Sequence, residues 1–389
     1  MKSCGLIVEY NPFHNGHRYH IEAARAASNC DVVVAIMSGN FLQRGEPACM
    51  DKWSRAEAAL QEGANLVIEL PFAHAVQSAD YFARGGVQLL AALGVDSLCF
   101  GTDLSSDLDY EAFGRAHLEH ESAINDLYQA REVTGESYPE RMTAIYRQLL
   151  PEWTLDFSSP NHILGMAYAK ENAKLASPMQ IFPIQRQGSN YHESELNPIN
   201  FSSATAIRQA VKSGTFNDLS SAMPTSSQKL LQEAPFIDWE YFWPLLKYRL
   251  LTTTPEQLRS VYQMKEGFEY RLFEKVKQAN SFQELMTLAK TKRYTWTRIQ
   301  RLLTYVLLNV TENEIMQARE HPYIRVLGFD EIGRDFLKQQ KGRVSIPLIT
   351  NVNRKNESLL ALDIKAGQVY QTAYSSLKQQ DYYRAPHYN

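Results

Sequence analysis

The sequence predicts an α/β protein: a Rossmann-like parallel sheet over residues 1–223, followed by a mainly α-helical C-terminal domain over residues 224–389. Two observations lead there. From the N-terminus to Phe100, short β-branched apolar runs alternate with helical stretches, the pattern that right-handed βαβ units produce. Beyond about Pro224 one helical periodicity follows another without that alternation. With 389 residues, 44% hydrophobic and 21% charged, the chain has apolar material for two or three buried cores.

The elements follow in order. Apolar runs at Leu6 to Val8, Val32 to Met37, Leu66 to Leu70 and Val95 to Phe100 read as strands. Helical stretches at Arg18 to Ala27, Lys52 to Gln61 and Ser78 to Leu93 read as their crossovers. Turn-like segments follow the runs at Glu9 to His17, Ser38 to Asp51, Pro71 to Ala73 and Gly101-Thr102-Asp103, and in a parallel sheet all four converge on one crevice. Leu104 to about Leu150 is helical and more polar, a candidate insertion. A helix from Asn161 to Leu175 and a strand near Gln180 to Ile184 then rejoin the sheet. After Phe201, Ser202 or Ser203 caps a helix whose first turn holds Thr205 and Arg208. Helices are expected at Trp239 to Leu251, Glu256 to Val261, Phe268 to Gln278, Phe282 to Ala289 and Thr297 to Val310. Apolar runs at Ile324 to Leu327 and Val344 to Ile349 make a mixed end, and the polar, aromatic tail after Leu377 is expected to fray.

Composition excludes several classes. Net charge is only −3, so any affinity for nucleic acid must come from a local patch. The four cysteines, Cys4, Cys30, Cys49 and Cys99, are irregularly spaced with no CxxC pair, which argues against a zinc cage and a disulfide framework and fits a reducing cytosol. The opening apolar run is too short for a signal peptide or membrane span. A cytoplasmic protein with no membrane segment is expected, and no signal of oligomeric state is legible.

Four segments carry chemistry. His14-Asn15-Gly16-His17 follows the first strand and opens a helix. Two imidazoles there join unpaired N–H groups and a partial positive charge, which suits a polyphosphate anion. Taken alone, His14, His17 and His20 would equally make a surface cluster. In SGNFLQRGEPACMDKWSRAEAAL, Gly39, Asn40 and Gly45 shape a loop, and Arg44, Lys52 and Arg55 bring positive charge toward the crevice. Alternatively Arg55 pairs with Glu57 or Glu62 on a solvated helix face. SSATAIR, Ser202 to Arg208, offers hydroxyls and a fork-shaped guanidinium to phosphate. Lys290, Lys292, Arg293, Arg298 and Arg301, with Tyr294 and Trp296 interleaved and no carboxylate from Leu285 to Thr311, form a cationic patch suited to RNA phosphates and unstacked bases, or else a solvated face.

His14-x-x-His17 resembles the HxGH signature of the nucleotidyltransferase superfamily, and SSATAIR is similar to its ISSTxIR signature. Ser203, Thr205, Ile207 and Arg208 match, while Ser202 and Ala204 depart. VEYNPFHNGHRYH, the Ser38 to Leu60 segment, NLVIELP, LCFGTD, SPNHILGMAYAK, SSATAIR, KRYTWTRIQRLL and RVLGFDEIGR together resemble the tRNA(Met) cytidine acetate ligase family, in the same order over nearly the whole chain. That resemblance implies a HUP-type nucleotidyltransferase domain, then a helical tRNA-binding domain. It implies ATP contacts at Ile7, Val8, Glu9, Tyr10, Asn11, Pro12, Phe13, His14, Asn15, Gly16, His17, Arg18, Tyr19 and His20, and at Gly101, Asn161 and Arg186. Asn161 would otherwise be a simple helix cap. Ser203 and Arg208 would hold the β- and γ-phosphates, and His14 and His17 would be the catalytic pair.

The implied substrates are ATP, acetate and elongator tRNA(Met), joined through an acetyl-adenylate. Ser38, Asn40, Lys52 and Arg55 are candidates for the acetate pocket. Lys290, Lys292, Arg293, Arg298 and Arg301 are candidates for tRNA contact. Magnesium is expected from ATP chemistry, with no metal ligands assignable. The competing readings are a small-molecule adenylyltransferase and a non-catalytic RNA-binding protein with an ATP ligand.

Overall fold

The structure, a computed structural model, describes residues 1–103, 108–130, 138–151, 153, 155, 159–186, 202–265 and 267–389. One sheet runs through it. Its strands are β1 (Ser3–Val8), β2 (Val32–Ser38), β3 (Leu66–Leu70), β4 (Ser97–Thr102), β5 (Gln180–Gln185), β6 (Ile324–Phe329), β7 (Leu348–Ile349) and β8 (His387–Tyr388). They lie in the order β5-β4-β1-β2-β3-β6-β7, with β8 also paired to β6. β1 to β5 are all parallel, as the alternation of runs and helices requires. Strand order reverses between β1 and β4, so the crevice for a ligand opens at their carboxyl ends.

β1 to β3 are buried along their whole lengths because helices cover both faces. On one side Ile7, Ile36 and Ile68 pack with Val87 and Leu90 of the helix Ala79–Ala92. On the other, Leu6 and Val8 pack with Ile21 and Ala24 of the helix Asn15–Ser28. The 104–150 region supplies the helices Tyr110–Glu119, Glu121–Ala130 and Tyr138–Leu149, with 104–107 and 131–137 outside the described residues. Phe113, Ile145 and Tyr146 join the core of the sheet.

The expected boundary at 223/224 is corrected in two ways. β6, β7 and β8 lie beyond that boundary yet extend the first sheet, β6 pairing antiparallel with β3. The helical core around Trp239, Phe282 and Tyr305 also continues into Phe41, Phe72 and Val76 of the first half. Short strands of six residues or fewer give no sequence sign of which distant edge they will join.

The tail does not fray as expected. Gln380 and Asp381 are buried, Trp53 Nε1 donates to the Gln380 carbonyl at 2.7 Å, and Lys52 Nζ donates to Asp381 Oδ1 at 2.7 Å. Its polar residues fit the interior because their partners wait in the first half of the chain. No helix among the described residues is long and apolar enough to cross a membrane.

Candidate active site

A cavity of about 560 Å³ opens beyond the carboxyl ends of β1 and β4. Three helices present their N-termini to it: Asn15–Ser28 through Gly16, Pro160–Ala173 through Asn161, and Ala204–Ser213 through Ser203. The aligned dipoles of these helices add partial positive charge to the cavity lining.

His14 caps the first of these helices. Its Nδ1 accepts the Gly16 N–H at 3.0 Å, and His17 Nδ1 accepts the His14 N–H at 3.3 Å. This is a capping box built from imidazoles in place of the usual hydroxyl and carboxylate. The two rings stack, centroids 3.8 Å apart and planes 27° from parallel. With both Nδ1 atoms accepting, the hydrogen-bond network assigns the proton of each neutral ring to Nε2. Burial, then the Arg186 and Arg208 charges, holds His14 down to about 3. Burial and the neighbouring imidazoles hold His17 well below the ordinary imidazole value, and burial with Arg186 takes His20 to about 4. At neutral pH the pair is therefore uncharged and offers two N–H donors.

The other expected residues gather from distant elements. Asn161 Nδ2 donates to Asp103 Oδ1 and Oδ2 at 2.9 and 2.8 Å, and Arg186 Nη1 stands 3.6 Å from Asp103 Oδ1. The cap of that helix is Ser159, whose Oγ accepts the His162 N–H, so Asn161 is not a simple cap. Gly101, the last but one residue of β4, lies beside them, and a Cβ there would press on the Arg186 stem at 3.2 Å. Ser203 Oγ caps its helix by accepting the Ala206 N–H at 3.1 Å. Arg208 donates to the Asn11 carbonyl at 2.9 Å and to Thr205 Oγ1 at 3.3 Å, which fixes its guanidinium at the cavity wall near Glu46.

From the opening loop, Ile7, Val8, Glu9, Tyr10, Asn11, His14, Gly16, His17, Tyr19 and His20 line the cavity. Pro12, Phe13, Asn15 and Arg18 do not. Phe13 packs against Tyr10, Asn15 bonds the Ala222 and Ser221 carbonyls, and Arg18 turns out toward Glu22 and Glu62. Asp103 was not singled out in the sequence as the anchor of Asn161 and Arg186. The only signal was its place directly after β4.

The four acetate-pocket candidates lie outside this cavity. Arg55 is fully buried and donates to the carbonyls of Met50, Glu9, Ser38 and Gly39, so it neither faces the crevice nor pairs with Glu57 or Glu62. Lys52 is paired with Glu69 and Asp381, and Asn40 bonds Gln380 and the Lys52 amide. Ser38 is likewise buried. Buried cations need buried partners, and these side chains found theirs in backbone carbonyls and in the C-terminal tail.

The loop they brace reaches the cavity through Gln43, Arg44 and Glu46. It docks on the helix Trp296–Leu307, where Gln300 Nε2 donates to the Arg44 carbonyl at 3.2 Å and Thr304 Oγ1 to the Gly45 carbonyl at 2.8 Å. Arg298 and Arg301 belong to the same helix, and Arg298 lies 4.0 Å from the Tyr294 ring centroid. Tyr294 is buried and stacked on Phe268, which corrects its reading as an interleaved surface aromatic. Lys290, Lys292 and Arg293 are exposed. Among the described residues no group of three or more His, Cys, Asp or Glu could hold a metal ion.

A parallel sheet with a histidine-capped helix and three helix N-termini around one cavity defines a nucleotidyltransferase. A family model described as HIGH Nucleotidyl Transferase matches residues 1–385. The tRNA(Met) cytidine acetate ligase of Latilactobacillus sakei is 42% identical, over 95% of this chain and 93% of that one. The Bacillus subtilis protein of the same name is 39% identical, over 95% and 92%. Solved structures of Thermotoga maritima TmcAL, 29% identical, cover 100% of this chain and 99% of that one. The apo form matches with a TM-score of 0.92, and the form bound with alpha-thio ATP with 0.89. The chain belongs to the tRNA(Met) cytidine acetate ligase family.

Proposed function

We propose that this protein is an ATP-dependent acetate ligase that forms N4-acetylcytidine at the wobble position of elongator tRNA(Met). The observation that carries the reading is the stacked His14–His17 pair, both Nδ1 atoms engaged by backbone amides and both Nε2 protons left for an anion in the cavity.

Acetate cannot acylate an amine while its leaving group is oxide. In the first step an acetate oxygen attacks the α-phosphorus of ATP, and pyrophosphate departs with the P–O bonding pair to leave acetyl-adenylate. Negative charge builds on the α-phosphoryl oxygens and on the departing pyrophosphate. Fixed donors there, His14, His17 and the helix amides, stabilise it without reorganisation. Arg186 and Arg208, which also line the cavity, add full charges. Magnesium would arrive with the triphosphate.

In the second step the N4 amine of cytidine attacks the acetyl carbonyl and AMP leaves. A base in an anticodon loop is single-stranded and can be splayed into a pocket. The tRNA surface we assign is the exposed run Lys290, Lys292 and Arg293 with Arg298 and Arg301. It adjoins the cavity through the docked loop. ATP and tRNA meet in the cytoplasm, and the proposed reaction supports a cytoplasmic protein.

Mass spectrometry of nucleosides from tRNA(Met) incubated with the protein, ATP and labelled acetate tests the reading. Labelled N4-acetylcytidine is expected. Its absence, together with pyrophosphate exchange driven by nicotinamide mononucleotide or phosphopantetheine, would make this a small-molecule adenylyltransferase instead. Replacing Lys292 and Arg298 by Ala should weaken tRNA binding and reduce its salt slope by roughly one to two. An unchanged slope would remove this surface from the binding path.

A further inference from the structure

Attack by N4 on a carbonyl leaves a proton to be removed, and the cavity holds few groups able to take it. His14 and His17 have spent their acceptor nitrogens on backbone amides and can only donate. His20 turns Nε2 toward Cys99 Sγ at 3.6 Å. Of the two carboxylates among the described residues lining the cavity, Glu46 stands 3.8 Å from the Arg208 guanidinium. The other is Glu9.

Glu9 sits at the first position past β1. Its carbonyl accepts from Arg55 at 2.6 Å, and its Oε1 accepts the Gln43 N–H at 2.7 Å. One bond fixes the backbone and the other fixes the side chain, against the loop that docks on the helix bearing Arg298 and Arg301. Glu9 therefore lines the cavity where that loop enters it. Resting on the acetate-ligase reading, we infer that Glu9 is the proton acceptor of the acetyl-transfer step, its free carboxylate oxygen taking the proton that N4 sheds.

The step balances. N4 donates its pair to the acetyl carbon and the C–N bond forms. The bond from that carbon to the AMP phosphate oxygen breaks, its pair leaving with AMP. One N4 proton passes to Glu9, which later returns it to water. Burial raises the Glu9 carboxyl above the ordinary carboxylate value, and this brings its proton affinity nearer to neutrality, where a general base works best. The groups facing it are Glu46, which raises it further, Arg44 from the same loop and Arg55 from the helix Lys52–Gln61, which both lower it, and Tyr168 from the helix Pro160–Ala173.

The test separates the two half-reactions in wild type, Glu9→Gln and Glu9→Asp. Acetate-dependent exchange of labelled pyrophosphate into ATP reads the first. Single-turnover transfer of labelled acetyl to a tRNA(Met) transcript reads the second. Whatever Glu9→Gln does to exchange, transfer should fall a further hundredfold or so. The rise of the wild-type transfer rate with pH should flatten in that variant, and Glu9→Asp should restore part of the rate. If exchange and transfer fall by one common factor, or the pH profile of Glu9→Gln keeps its rising limb, Glu9 is not the acceptor. Absence of acetate-dependent exchange in the wild type would instead overturn the ligase reading itself.

Discussion

His14 and His17 do at one helix end what Ser, Asp and Glu do at most others, and the substitution has a chemical consequence. A hydroxyl or carboxylate cap ends its work at the backbone, whereas an imidazole that accepts at Nδ1 still has a proton at Nε2 to give. His17→Ala should therefore lower acetate-dependent pyrophosphate exchange on the order of a hundredfold, roughly 3 kcal/mol of transition-state stabilisation, with ATP affinity changed far less. Equal losses in both would mean that the ring only binds. The depressed values also set a pH dependence. His14, held down to about 3, and His17, held well below the ordinary imidazole value, take up no second proton until well below that value, so exchange should stay level from pH 8 down to pH 5. An acid limb centred near pH 6.5 would show the rings titrating freely. The HxGH spacing was legible because it falls directly after an apolar run. Arg55 was not, since a guanidinium three residues into a polar-looking helix reads as solvated until carbonyls from two other segments are seen around it.

The loop after β2 shows how an element is positioned from outside its own sequence neighbourhood. Gly45 has φ of +81°, and a Cβ on it would stand 2.5 Å from the Arg301 amide nitrogen. Only glycine lets the loop lie this close to the helix Trp296–Leu307 and still turn Gln43, Arg44 and Glu46 into the cavity. Gly45→Ala should cost about 1–3 kcal/mol of stability and raise the ATP concentration at half-saturation, because the loop must lift off the helix. Thermal unfolding and calorimetric titration check the two effects. A stable variant with unchanged ATP binding would show that the contact is dispensable. The glycine was visible in the sequence as a turn residue, but the helix it abuts lies more than 250 residues away.

Across the whole molecule the second half returns to the first. β6, β7 and β8 complete the sheet, and the tail delivers Asp381 to Lys52 and Glu69 in the interior. Removing the cation alone would leave two buried carboxylates facing each other. Lys52→Met should therefore destabilise the protein by about 3–5 kcal/mol, as read by urea unfolding, although that side chain lies outside the cavity. A loss under about 1 kcal/mol would mean that one carboxyl takes a proton and the cluster adapts. The boundary expected between residues 223 and 224 from periodicity is crossed by both the sheet and the helical core.

Periodicity, β-branched runs and the HxGH and SSATAIR segments determined by themselves that the first half is a parallel α/β sheet with a histidine-bearing helix start after its first strand. Those signals are local, written within one strand, turn or helix. Which cations reach the cavity was decided only by tertiary structure: Arg44, Arg186 and Arg208 arrive there, while Lys52 and Arg55 are drawn inside. A buried charge goes where partners can replace its water, and those partners, Asp381 and the carbonyls of Glu9 and Ser38, become neighbours only when the chain has folded.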